Sequence, residues 1–264
     1  MVIAEKPTKN LLTTSKIGCY AINPYVGCPH ACKYCYASFM KRFTNHPEPW
    51  GEFIDVKRCD RKIDLRKIAG KNVFMSTATD CYNPYEAKYG ITRSILEQLV
   101  GSDCHLQIST KNKLILRDMD LLKRMKHLSV AMSVNTLDEN FRRDMDRAST
   151  VQERLETLRT LHENGIYTIL FMSPIFIGVT DWKAIIETSR SFVSEYWFED
   201  LNLRGGYKTL SCVMWMNIIR ICIRLTNASI PKETAQNSLR TTGLFVPTAI
   251  PTKSITVLIS TMRR

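Results

Sequence analysis

The 264-residue chain, 44% hydrophobic and 23% charged, is long enough to bury a sizeable core and fits one large α/β domain better than two small ones. Its formal charge of +12 is concentrated late: residues 208–264 hold eight Lys or Arg against one acid, Glu233, a net +7 that leaves +5 for residues 1–207, so a basic nucleic-acid face on the main domain is weakly supported. Residues 1–16 carry lysines and no apolar core, and the longest apolar run, 212–225, is cut by Asn217, Arg220 and Arg224; the expectation is a cytoplasmic protein with neither signal peptide nor membrane span.

The first predicted strand, residues 17–23, runs into Asn23-Pro24-Tyr25-Val26-Gly27-Cys28-Pro29-His30-Ala31-Cys32-Lys33-Tyr34-Cys35-Tyr36-Ala37, a CxxxCxxC loop. Three thiolates within eight residues can hold three corners of a cubane iron–sulfur cluster and leave the fourth iron without a protein ligand. A structural zinc, with His30 or a distant cysteine as fourth ligand, is a second reading and buried thiols a third. Zinc sites normally close with a second cysteine pair, and none is present. The other six cysteines are scattered, which suits a reducing compartment where they pack as small apolar residues.

Residues 41–71 read as an irregular, charged insertion. Strand 72–79 then ends in Ser76-Thr77-Ala78-Thr79-Asp80-Cys81, hydroxyl-rich and acidic, which is either a ligand-orienting strand end or an ordinary turn capped by Asp80. Helix 91–100, strand 105–110, helix 118–126, strand 128–135, helix 151–164, strand 166–173, helix 181–196 and strand 197–204 follow. Helix 151–164 has the clearest signals: Val151, Leu155, Leu158 and Leu161 share a face, Thr150 and Glu153 form a capping box, and Asn164-Gly165 supplies a left-handed stop. Because crossovers between parallel strands are right-handed, six such units curl into an open (β/α)6, a partial TIM barrel, with its site at the strand carboxyl ends.

The run NPYVGCPHACKYCYA resembles the radical S-adenosylmethionine (SAM) superfamily and, within it, the branch of spore photoproduct lyase and its non-spore relatives, over about residues 17–206. The resemblance implies an enzyme whose four-iron four-sulfur cluster, on Cys28, Cys32 and Cys35, cleaves SAM reductively to a 5′-deoxyadenosyl radical for an unassigned substrate. It implies a low-potential electron donor as well, a flavodoxin or ferredoxin. By the same match Tyr34 lies near the SAM adenine, Lys111 pairs with its carboxylate and Ser133 hydrogen-bonds it. From the residues themselves, the strand end with Thr77, Thr79 and Asp80 is of the type that orients the SAM amino group and ribose, and Asn202 and Arg204 stand at the barrel mouth, either as substrate or SAM contacts or in a surface ion pair.

Two departures bear on the substrate. Thr77 stands where the lyase has its hydrogen-donating cysteine, with Cys81 four residues later as a candidate donor, and Asp146-Arg147 replaces a Glu-Pro pair. Repair of a DNA lesion is therefore the alternative reaction. A non-catalytic nucleic-acid-binding protein with a structural metal, suggested by the basic tail and by Tyr25, Tyr34 and Tyr36, is the second alternative.

Beyond the radical SAM core, residues 1–207, the character changes. Residues 208–264 hold nine threonines and one acid with little periodicity, which reads either as a basic extension or as a sequence shifted in frame near Tyr207.

Overall fold

A computed structural model describes residues 1–16, 19–201 and the strand Ile255–Val257. Its strands are β1 (Val2–Pro7), β2 (Leu12–Thr14), β3 (Tyr20–Ile22), β4 (Tyr25–Val26), β5 (Phe53–Arg58), β6 (Asn72–Met75), β7 (His105–Thr110), β8 (His127–Ser133), β9 (Tyr167–Ile175), β10 (Glu195–Asp200) and β11 (Ile255–Val257). The larger sheet has the order β11-β10-β9-β8-β7-β6-β3-β2, parallel throughout except for the β2–β3 pair. The six expected strands are its middle six, adjacent in chain order, and the sheet stays open as a partial TIM barrel. Among the described residues, no helix is long and apolar enough to cross a membrane.

Strand alternation decides which face carries the core. Val73, Met75, Leu106, Ile108, Val130, Met132, Leu170, Met172, Tyr196 and Phe198 alternate onto one face and form a continuous buried cluster with helices α3 (Ile91–Leu99) and α6 (Val151–Glu163). Their sequence neighbours Phe74, Gln107, Ser129, Phe171 and Trp197 take the opposite face and are only half-buried. That face is the inside of the open barrel.

The capping signals read for α6 are present: the Thr150 side chain accepts from Glu153 N and Glu153 reaches back to Thr150 N, while Gly165 takes φ +79° after the last turn. Thr150→Ala removes half of this box and is expected to cost about 1 kcal/mol of unfolding free energy in urea titration.

Three expectations are corrected. Residues 118–126 are not one helix: a 3-10 turn, Lys113–Asp118, starts earlier because Asn112 Oδ1 accepts from Leu114 N at 3.0 Å, and only Met119–Leu122 is α-helical. The helix expected to reach residue 196 spans Trp182–Ser189, since Tyr196 belongs to β10, where it turns to the core and its hydroxyl meets Ser189 Oγ at 2.9 Å. The segment 41–71 is not irregular throughout. β5 pairs in parallel with β1 and antiparallel with β4, making a second, three-stranded sheet beside the cysteine loop.

Candidate functional site

β3 and β4 deliver the chain to Gly27 at the carboxyl end of the barrel, where the cysteine loop begins. Gly27 has φ +85°, and a Cβ there would lie 2.4 Å from the Phe53 carbonyl oxygen, so β5 forms the wall against which the loop is laid. Gly27→Ala adds left-handed strain to a backbone clash; an expected loss of about 2–4 kcal/mol would be read from the urea midpoint. Within the loop Ala31 N donates to Cys28 O at 3.2 Å and Cys35 N to Cys32 O at 3.0 Å, two tight turns that hold the three cysteines on one short arc. Cys35 caps a 3-10 helix, Tyr36–Phe43.

Burial pushes all three thiols up, Cys32 to about 12 and Cys28 well above its ordinary value, and Cys28 also feels the charges of Asp80, Cys32 and Cys35. Thiols in this setting hold their protons until a metal replaces them. Among the described residues no three His, Cys, Asp or Glu side chains converge as a single metal ion requires. Three cysteine thiols on one short loop are the donor set for three corners of a cubane, and no second cysteine pair stands beside them to complete a zinc site.

Asp80 ties the loop to the barrel. Its Oδ1 accepts from Tyr82 N at 2.9 Å and Thr110 Oγ1 at 2.8 Å, and its Oδ2 from Lys111 N at 2.8 Å and His30 Nε2 at 3.1 Å. Burial pushes this carboxyl up, but the His30 interaction and the donors around it hold it below the ordinary value. Four donors occupy the lone-pair positions of a carboxylate. Asp80, expected against the cofactor amino group, is thus a clasp between β6, β7 and the cysteine loop. The flanking hydroxyls brace as well: Thr77 Oγ1 accepts from Asn23 Nδ2 at 2.9 Å, and Thr79 Oγ1 donates to Gly27 O at 2.7 Å. Each hydroxyl keeps bonding capacity for a ligand.

Tyr34, Lys111 and the β8 end converge on the other side of the loop. Lys111 Nζ stands 5.3 Å from the Tyr34 ring centroid, and its charge acts on the Cys32 and Cys35 thiols. The Tyr34 ring packs edge-on against Phe176 with centroids 5.4 Å apart, and its hydroxyl donates to Asp146 Oδ2 at 3.2 Å. Beneath it lies an ion pair the sequence reading missed. Arg154, on α6, donates to Asp146 Oδ1 at 2.5 Å, to Ser149 O at 2.8 Å and to Ser133 O at 3.2 Å, with both charged side chains 1% exposed. The segment around Asp146 also grips the loop directly, through Lys33 N to Met145 O at 3.0 Å and Arg147 N to His30 O at 2.8 Å.

Cys81, expected as a candidate hydrogen donor, is 0% exposed and packed in the main core, with burial pushing its thiol well up. Asn202 and Arg204 lie outside the described residues.

The described residues thus form an open, largely parallel α/β barrel with a three-cysteine loop at its mouth. The model of the radical SAM superfamily matches residues 22–188. An uncharacterised protein of Methanocaldococcus jannaschii is 40% identical over 189 residues, 71% of this chain and 72% of that relative, and one from Acidianus two-tailed virus is 32% identical over 170 residues, 60% and 56% of the two chains. A mutant of spore photoproduct lyase with AdoMet and a dinucleoside spore photoproduct bound superposes with a TM-score of 0.61 at 15% identity, covering 79% of this chain and 64% of that one. The chain belongs to the radical SAM superfamily. It spans 64% of the lyase chain and about half, 51%, of a similar Mycobacterium tuberculosis protein.

Proposed function

We propose that this chain is a radical SAM enzyme in which Cys28, Cys32 and Cys35 hold three irons of a four-iron four-sulfur cluster and SAM occupies the fourth. The observation that carries the reading is the loop itself, which two tight backbone turns bring round with its three cysteines at the carboxyl end of an open parallel barrel. When bound, the cluster supplies the electron that splits SAM into methionine and a 5′-deoxyadenosyl radical. The chain's own residues position the cofactor. Lys111 offers a cation to the SAM carboxylate beside Tyr34, the Ser133 hydroxyl offers a hydrogen bond, and the Tyr34 face flanks the adenine. Thr77 and Thr79 offer their remaining hydroxyl capacity to the amino group and ribose.

The substrate reading is the broad one. With Thr77 at the lyase cysteine position and Cys81 sealed in the core, no thiol of that segment is available to return a hydrogen atom to a thymine radical. An unassigned substrate is therefore favoured over DNA-lesion repair. Residues 1–207 form the catalytic unit in this reading, with a low-potential flavodoxin or ferredoxin as donor in a reducing, cytoplasmic compartment.

Anaerobic reconstitution with iron and sulfide tests it. The expected product is a brown protein with about four irons per chain that converts SAM to 5′-deoxyadenosine when reduced by dithionite. A colourless chain carrying one zinc, with no SAM turnover, overturns the proposal.

A further inference from the structure

The inner face of β9 and β10 presents side chains that the cysteine loop and the proposed cofactor contacts do not use. Ser133 pairs with Phe171 across β8 and β9, and Phe171 with Trp197 across β9 and β10, so one level of the sheet starts at a proposed SAM contact and runs away from Lys111. The rings of Phe171 and Trp197 meet edge-on, with centroids 5.7 Å apart and planes at 84°. Ser173 and Glu199 stand two residues further along the same strands, on the same face and about 7 Å nearer the carboxyl ends where the cysteine loop lies. Ser173 Oγ donates to Glu199 Oε2 at 2.5 Å, which fixes the carboxylate beside the aromatic pair.

Two groups in this wall lack partners. Glu199 is half-buried, yet among the described residues its Oε1 accepts no hydrogen bond and no Lys, Arg or His pairs with it. The fully buried acids differ: Glu86 and Asp118 each pair with Arg117, and Asp146 with Arg154. Trp197 Nε1 is buried and has no hydrogen-bond partner. A carboxylate withdrawn from water without a cation, and an indole N–H without an acceptor, both cost free energy until something supplies the missing group.

We propose that Glu199, Ser173, Phe171 and Trp197 form the substrate-binding wall of the barrel, and that the substrate they take is an organic cation, an ammonium or guanidinium group with a hydrogen-bond acceptor elsewhere on the same molecule. The cation pairs with Glu199 beside the aromatic rings, and the acceptor meets the Trp197 N–H. The inference rests on the reading of this chain as a radical SAM enzyme and adds the chemical class of its substrate. A neutral base or sugar could donate to Glu199 but would leave its charge uncompensated, and a phosphate-bearing strand would bring like charge toward it, so a cation is favoured over nucleic acid.

Equilibrium dialysis of the reconstituted, SAM-loaded chain tests it with two probes: N-acetylcadaverine, which carries an ammonium and an amide, and N-hexylacetamide, which puts a methyl in place of the ammonium. The wild type is expected to bind the cation about tenfold more tightly than the neutral amide. Glu199→Gln is expected to lose that preference while binding SAM as the wild type does. Equal binding of the two amides by the wild type, a comparison that needs no variant, overturns the proposal, and so does a preference that survives Glu199→Gln. Thymidine bound as tightly as N-acetylcadaverine, and lost in the variant, overturns it in favour of a nucleobase. A lysine-containing tripeptide separates the two sources of the cation: tighter binding than N-acetylcadaverine assigns a peptide side chain, weaker binding a free amine. Equal binding of the amides by a brown chain that cleaves SAM overturns the cation site alone. A chain that takes up no cluster overturns the enzyme reading, and the same two amides, dialysed against that metal-free chain, decide the cation site separately.

Discussion

Cys32→Ala is expected to abolish both cluster binding and SAM cleavage while leaving the fold of the metal-free chain in place. The first half follows from ligand arithmetic. Three thiolates are the whole protein share of a site-differentiated cubane, and two cannot hold its remaining corners against solvent and chelators. The second half follows from how the loop is held. Its anchors are Asp80 on His30, Arg147 N on His30 O, Lys33 N on Met145 O and the close seat of Gly27 on β5, none of which uses a cysteine side chain. Iron should fall from about four per chain to less than one, and 5′-deoxyadenosine should vanish. The urea midpoint of the metal-free protein should stay within about 1 kcal/mol of wild type. A Cys32→Ala protein that is still brown and still cleaves SAM would mean that this arc is not the cluster site.

The parts of the molecule legible in the sequence were those governed by local rules. Apolar, β-branched runs separated by stretches of helical period located the six middle strands to within a few residues, because each is buried beneath helices close to it in the chain. The capping box at Thr150 and the stop at Gly165 were readable because both are short-range. The second sheet was not: β1 and β5 are separated by about fifty residues, and β1 is largely exposed, so neither its composition nor its alternation announces a partner. The same limit applies within the site. Asp80, Thr77 and Thr79 carry polar groups suited to a ligand, and only the pairing of β6 with β3 and β7 shows how much of that capacity binds the cysteine loop instead. Cys81 looked available because it follows a strand, yet Ser76 takes φ +76° and its Oγ accepts from Cys81 N at 2.9 Å, a turn that carries the thiol into the core. Arg154 had no motif to mark it, because a charged residue on a helix gives no sign in sequence that it will be buried.

Arg154→Met is expected to be the most destabilising single change away from the cysteines, costing about 3–5 kcal/mol at pH 7 because it leaves the Asp146 carboxylate buried without its closest cation. The dependence on pH identifies the cause. In the wild type, burial pushes Asp146 up, but Arg154, Lys111 and the hydrogen bonds pull it below its ordinary value, so the acid contributes stability above the unfolded pKa of about 3.9 and loses it as pH falls through the lower folded value. Without Arg154 the burial effect is opposed by much less, and the carboxyl moves upward. A raised carboxyl penalises the folded state most above its new pKa, where it must be charged, and least below it, where it is neutral. The stability gap between wild type and variant should therefore narrow on acidification from pH 7 to pH 5, whereas a simple loss of packing would leave it constant. The site should register the change as well: Tyr34 donates to Asp146, and Ser133 O accepts from Arg154, so both groups proposed to contact SAM lose their support. Weaker SAM binding by the folded, cluster-loaded variant, alongside a gap in urea midpoint that closes toward pH 5, would assign the pair its role as the footing of the cofactor site. A constant gap would assign Arg154 to packing alone.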